Sequence, residues 1–236
     1  MLWELNYCKN YEIMVPTLKL VKALVLIDAT GSMGDLLTNA KNSIKLYFET
    51  VCKSLIAANY STKIFKLQMA FYRNYRSGMQ ILEHSEWAGP DDIEALNQFL
   101  EGVVASGGQG CEAVEIGLLH ANREIYEPAD KVPVSLIYVI GDAPANANLD
   151  IVNMKKKFNN SKTNAIDDSP QFMSDNDAKK LFAVHQAWGE VEKRAFGSST
   201  TWDEQLKRIK NFESDGAKIP IYSFYLKSQL FEKKIN

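Results

Sequence analysis

Apolar and polar positions along this chain alternate between two periods, and the alternation predicts a repeated strand–helix rhythm. "VKALVLI" (Val21–Ile27) is a short, nearly continuous apolar run, the pattern of a strand covered on both faces. From about Asp35 to Ala58 the spacing changes. Leu37, Ala40, Ile44, Phe48, Val51 and Leu55 recur every three or four residues, one face of an amphipathic helix. "IFKLQMAFY" (Ile64–Tyr72) predicts a second strand, and "GMQILEHSEW" (Gly78–Trp87) a shorter, more polar one suited to a sheet edge. "GPDDIEALNQFLEGV" opens a helix with Pro90 and two acids in its first turn, where the helix dipole favours them. "CEAVEIGLLHANREI" is a further helical pattern, and "VPVSLIYVI" (Val132–Ile140) a strongly buried strand. "TWDEQLKRIKNFESDG" reads as a helix stopped at Gly216, followed by a last strand, "KIPIYSFYL" (Lys218–Leu226).

Alternating β and α elements predict an α/β, Rossmann-like three-layer fold. Its central sheet would have about six mostly parallel strands, one antiparallel at an edge, with helices on both faces. Residues 1–20 read as an N-terminal extension, 21–228 as a single domain and 229–236 as a C-terminal tail. Within the domain, 149–200 is longer than one crossover helix needs and reads as an insertion. Its first part is rich in Lys, Asn, Ser and Asp, a loop composition, and the run Lys155–Lys157 reads as a solvated face.

Composition narrows the class. The 236 residues are 46% hydrophobic and 24% charged, ordinary for a globular chain with a sizeable core. A formal net charge of -2 argues against a dedicated nucleic-acid binder. No apolar run is long enough to span a membrane, and the N-terminus lacks the continuous hydrophobic region of a signal peptide. The three cysteines, Cys8, Cys52 and Cys111, sit at unrelated spacings, as free thiols in a reducing compartment do. Together these predict an intracellular, cytoplasmic protein.

The candidate chemistry lies where the strands end. In open α/β sheets, ligands bind beyond the carboxyl ends of the strands. Asp28 closes the first strand and Asp142 closes "LIYVIGDAP", so two buried runs deliver an acid to the same rim. Thr30 and Ser32 add two hydroxyl oxygens. Such hard oxygen ligands favour Mg²⁺, Mn²⁺ or Ca²⁺ over zinc or copper.

At these residues the chain resembles the von Willebrand factor type A domains. Their metal-ion-dependent adhesion site begins with Asp-x-Ser-x-Ser, and "DATGS" is similar to its variant with Thr in the first hydroxyl position. "QMAFYRNYRSG" resembles the "YRDY" strand region of the type A domains attached to atypical alpha-kinases. "ASGGQGCEAVEIGL" resembles their "GGGDxPE" loop and "YVIGDAP" their "DAP" strand end. The likeness runs from about Val21 to Pro144 and resumes at the final strand. It implies a non-enzymatic module that engages an Asp or Glu of another protein through a divalent cation, Mg²⁺ or alternatively Mn²⁺ or Ca²⁺. Asp28, Thr30, Ser32, Gln109 and Asp142 would hold the cation, and Gly31, Met33, Gly108, Cys111 and Ala143 would face the partner. Gln109 stands where the family has an acid. The family also implies membership of a multiprotein assembly.

Other readings stand beside this one. Thr30 and Ser32 are also the residue types that cap helices. Cys111 reads as a packed small residue, Arg73 and Tyr75 as structural, and the three histidines as having no zinc-like spacing. The first alternative function is a degenerate type A domain without metal that serves as a scaffold in a larger complex. The second is a phosphatase of the haloacid dehalogenase type, in which the strand-end Asp is the nucleophile. That chemistry places an acid two residues later, where this chain has Thr30. No phosphate-binding or dinucleotide-binding glycine motif follows any predicted strand.

Overall fold

The computed structural model describes residues 19–108, 111–147, 151, 201–214 and 216–226. Gln109, the tail 229–236, and nearly all of the predicted extension and insertion lie outside the described residues, as do His185, Cys8 and Lys155–Lys157.

The chain forms a mixed α/β fold around a mostly parallel sheet. Strand β1 (Val21–Asp28) leads through helix α1 (Gly34–Ala57) to β2 (Phe65–Tyr72), and β3 (Leu82–His84) turns back beside it. Helices α2 (Ile93–Gly102) and α3 (Val114–Tyr126) precede β4 (Leu136–Gly141). Helix α4 (Trp202–Asn211) and a small hairpin, β5 (Glu213–Ser214) with β6 (Ala217–Lys218), lead to β7 (Ile221–Tyr225). The main sheet has five strands among the described residues, in the order β3-β2-β1-β4-β7, and only β3 runs antiparallel.

Side-chain alternation in β1 builds the layers. Ala23, Val25 and Ile27 pack with Leu37, Ile44 and Phe48 of α1 and Leu96 and Leu100 of α2. Leu24 and Leu26 point the other way, onto Leu118, Ala121 and Ile125 of α3 and Ile209 of α4. Every residue of β1 after Val21 is buried, including Lys22. The Lys22 ammonium pairs with Asp130 at 2.9 Å, donates to the Val132 carbonyl at 3.0 Å and lies 4.3 Å from the centre of the Trp87 ring.

Three predicted strands are shorter than the apolar runs that suggested them, and each has a local cause. Within 78–87, Tyr75–Ile81 forms a 3-10 helix before β3. Beyond β3, the Ser85 hydroxyl takes the Met69 amide that regular pairing would use. Within 132–140, Pro133 has no amide to donate, and the Ser135 hydroxyl takes the Lys22 amide at 3.1 Å, so the strand begins at Leu136. Pro220 separates the hairpin from β7. Gly216, with φ of +75°, lies in the connection between β5 and β6 rather than at the end of α4.

Between β1 and β4 the topology changes direction. From β1 the chain passes outward on one side to β2, while β4 pairs with the other edge of β1 and sends side chains into both layers. A crevice opens beyond the strand ends at such a point. Asp28 and Asp142 stand on its two sides.

Candidate functional site

Asp28 is the last residue of β1 and is fully buried. Its Oδ1 accepts from the Thr30 amide at 2.8 Å and from the Thr30 hydroxyl at 2.7 Å. Thr30 Oγ1 lies 3.1 Å from Ser32 Oγ, which donates to Asp142 Oδ1 at 3.0 Å. Four of the five sequence-predicted cation residues thus form one chain of contacts from the end of β1 to the end of β4: Asp28, Thr30, Ser32, Asp142. Neither hydroxyl caps a helix, since the 3-10 helix at Gly31–Met33 and helix α1 both begin without a side-chain cap bond.

The proton inventory of this chain is short by one. Each hydroxyl has a single proton. With both carboxylates ionised, the Thr30 proton goes to Asp28 and the Ser32 proton to Asp142. The Thr30–Ser32 contact then has none, and two oxygens face each other with lone pairs alone. Asp28 Oδ2 adds to the surplus, being buried without a hydrogen-bond partner. No ion pair among the described residues involves Asp28 or Asp142; Lys22, Lys53 and Arg73 pair elsewhere.

Electrostatics carry the same sign. Burial pushes the Asp28 carboxyl up from 3.8 to about 6, with the Asp142 charge adding to the rise and the Thr30 donors opposing it. The Tyr72 phenol is held well above its ordinary range by burial and by the carboxylates of Asp28, Glu112, Asp142 and Glu115. Glu115 is itself pushed up to about 7, chiefly by burial. Four acids therefore bear on one ring at the rim. A carboxylate and hydroxyl donor set with excess lone pairs and an orphaned buried oxygen fits a hard divalent cation. Among the described residues, no three His, Cys, Asp or Glu side chains cluster as a metal site, so the hydroxyls are essential to any such set.

Two glycines make the approach of the loops possible. Gly141 precedes Asp142, and a Cβ there would meet Tyr72 Oη at 2.8 Å and Asp28 Cβ at 3.3 Å. Gly108 has φ of +90°, and a Cβ there would lie 2.7 Å from both Thr30 Cβ and Glu112 Oε1.

Of the predicted partner-facing residues, Gly31 is exposed, and Gly108, Cys111 and Ala143 are half-buried near the cluster. Met33 is the exception. Its side chain is fully buried in the core with Ala29 and Leu37 and has no surface to offer a partner. Pattern reading also missed Glu112 as a junction. It is 2% exposed, its amide donates to the Pro144 carbonyl at 2.9 Å, and its own carbonyl accepts from the Asn146 amide at 3.1 Å. His84 and His120 stack at 4.5 Å, remote in sequence from any zinc-like motif.

No family model matches the chain, and no curated protein matches it. Similar solved structures include two crystal forms of the pilus adhesin SpaC from Lactobacillus rhamnosus GG, one of them in the open conformation. Each has a TM-score of 0.42 and 14% identity. The matches cover 52% and 54% of this chain but only 15% and 16% of the adhesin, and nothing about this chain follows from them.

Proposed function

We propose that this chain is a type A domain acting as a non-enzymatic protein-binding module. A divalent cation, Mg²⁺ or alternatively Mn²⁺ or Ca²⁺, is held at the rim by Asp28, Thr30, Ser32 and Asp142, and the resemblance adds Gln109, which lies outside the described residues. A partner protein engages it through an Asp or Glu side chain. The observation that carries this reading is the proton deficit across the Thr30–Ser32 contact when both carboxylates are ionised, which a cation fills above the range in which Asp28 holds its own proton. The cation would supply positive charge where Asp28, Glu112 and Glu115 are buried and Asp142 half-buried, which is what an acidic partner requires.

The residues supply position and charge balance. Buried Asp28 fixes Thr30 through two hydrogen bonds, and half-buried Asp142 orients exposed Ser32 from across the crevice. A phosphatase would need a nucleophile open to substrate, and the Asp28 carboxyl is fully buried with Thr30 in the position of the second acid.

Thermal melting in EDTA and then in millimolar Mg²⁺, Mn²⁺ or Ca²⁺ tests the cation. Ligand at about a hundred times its Kd adds about 2.7 kcal/mol, a rise of about 5–10 °C for a chain of this size. The rise is expected in the wild type and absent in Ser32→Ala and Asp142→Ala. A folded wild type that melts at one temperature in all four solutions refutes the reading.

A further inference from the structure

The loop between α2 and α3 is anchored in the core at its two ends by Val103 and Ala113, and between them it carries Gly107 and Gly108 to the first hydroxyl loop. Two adjacent residues at the end of β2 hold it. Arg73 is 1% exposed, and its Nη2 donates to the Val104 carbonyl at 2.8 Å, at the start of the loop. Its Nη1 donates to the Gln80 carbonyl at 2.8 Å and pairs with Glu83. Asn74 is 6% exposed and holds the far end of the loop. Its Nδ2 donates to the Cys111 carbonyl at 2.8 Å and to Glu112 Oε2 at 3.2 Å. The Arg73 carbonyl accepts from the Ala113 amide at 2.9 Å.

The loop held this way then braces the hydroxyl loop. The Ser106 amide donates to the Ala29 carbonyl at 3.0 Å, and the Gly31 amide donates to the Gly107 carbonyl at 2.8 Å. Those two bonds flank Thr30. Through Glu112, Asn74 also reaches the segment after Asp142, because Glu112 is bonded to Pro144 and Asn146.

We propose that Arg73 and Asn74 are positioning residues that set the geometry of the rim site without touching its ligand. Arg73 is suited to the task because a guanidinium is a rigid fork with five donors, able to serve a carboxylate and two carbonyls at once. A lysine ammonium keeps the charge but not the fork. Both terminal nitrogens of the guanidinium are engaged, while its Nε is buried without a hydrogen-bond partner, and outer partners of this kind control the affinity of the groups they orient. The affinity arm of the test rests on the cation reading above; the exchange arm does not.

The variants are Arg73→Lys and Asn74→Ala, each compared with wild type in two measurements. One is Mg²⁺ titration followed by melting temperature. The other is hydrogen exchange at the Gly31 and Ser106 amides, with Val25 and Leu26 of β1 as controls. The expected result is Mg²⁺ affinity weakened about 10–100-fold, with protection lost at Gly31 and Ser106 and retained in β1. Affinity equal to that of a responding wild type overturns the proposal. Unchanged protection at the two loop amides overturns it whatever the cation does. If wild type shows no Mg²⁺ response, the cation reading fails by itself and exchange alone decides on the clamp. If Arg73→Lys does not fold, Asn74→Ala, which leaves the guanidinium in place, decides in both measurements.

Discussion

Replacing Asp28 by Asn separates the charge of the buried carboxyl from its shape. Burial raises this group from 3.8 to about 6, so the folded chain holds a proton over a range where the unfolded chain has released it. The stability this proton contributes is complete below about pH 4 and is lost as pH rises through about 6. The rise from 3.8 to about 6 in this fully buried group makes the loss about 3 kcal/mol. Glu115, pushed up to about 7, acts in the same direction. In Asp28→Asn the amide oxygen keeps both Thr30 bonds and the charge is gone. An unsatisfied amide N–H2 costs about 1–3 kcal/mol at every pH, so the informative quantity is the change with pH and not the offset. Urea denaturation in EDTA at about pH 4 and about pH 8 should show the variant gaining about 3 kcal/mol relative to wild type between the two. Millimolar Mg²⁺ at the higher pH should then return stability to wild type and leave the variant unchanged. A wild-type-to-variant difference that stays constant with pH would refute the claim that Asp28 carries an uncompensated charge.

Gly141→Ala drives a methyl group into Tyr72 Oη and the back of Asp28, and is expected to cost about 1–3 kcal/mol and abolish the Mg²⁺ response. The double variant with Tyr72→Phe, which removes the 2.8 Å clash, should recover part of the stability in a double-mutant cycle; strict additivity would show that the two do not meet. Lys22→Ala removes the partner of Asp130 and the cation over Trp87 but leaves only the exposed Asp130 carboxylate behind, and should destabilise by about 1–2 kcal/mol in urea titration through the lost charged hydrogen bond to the Val132 carbonyl. A change below about 0.5 kcal/mol, the size of a surface substitution, would show that the buried ammonium is dispensable.

Periodicity was legible wherever one physical demand ruled a segment. Val21–Ile27 is apolar because both sheet faces are covered, and α1 follows its apolar stripe within a residue at each end. The runs that misled were those in which an apolar pattern met a proline or a serine hydroxyl. Pro133, Pro220, Ser85 and Ser135 alter hydrogen bonding without altering hydropathy. At the site, the pairing of Asp28 with Asp142 was visible because both acids end strongly buried strands. Met33 was misplaced because the hydroxyl loop turns within three residues and sends that side chain into the core. Arg73 and Asn74 carry no periodic signal, since their work is done through carbonyl groups far along the chain.

The hydrogen bond from Ser32 to Asp142 spans 110 residues. Its two ends meet only once β1 has taken β4 as a neighbour. Contacts of such long sequence separation pay their loop-closure cost before they return anything, and form late. A cation held by all four residues, as proposed above, would therefore bind only chains in which β1 and β4 are paired. A fragment ending before Leu136 would keep Asp28, Thr30 and Ser32 and lack Asp142, the acid that meets Ser32.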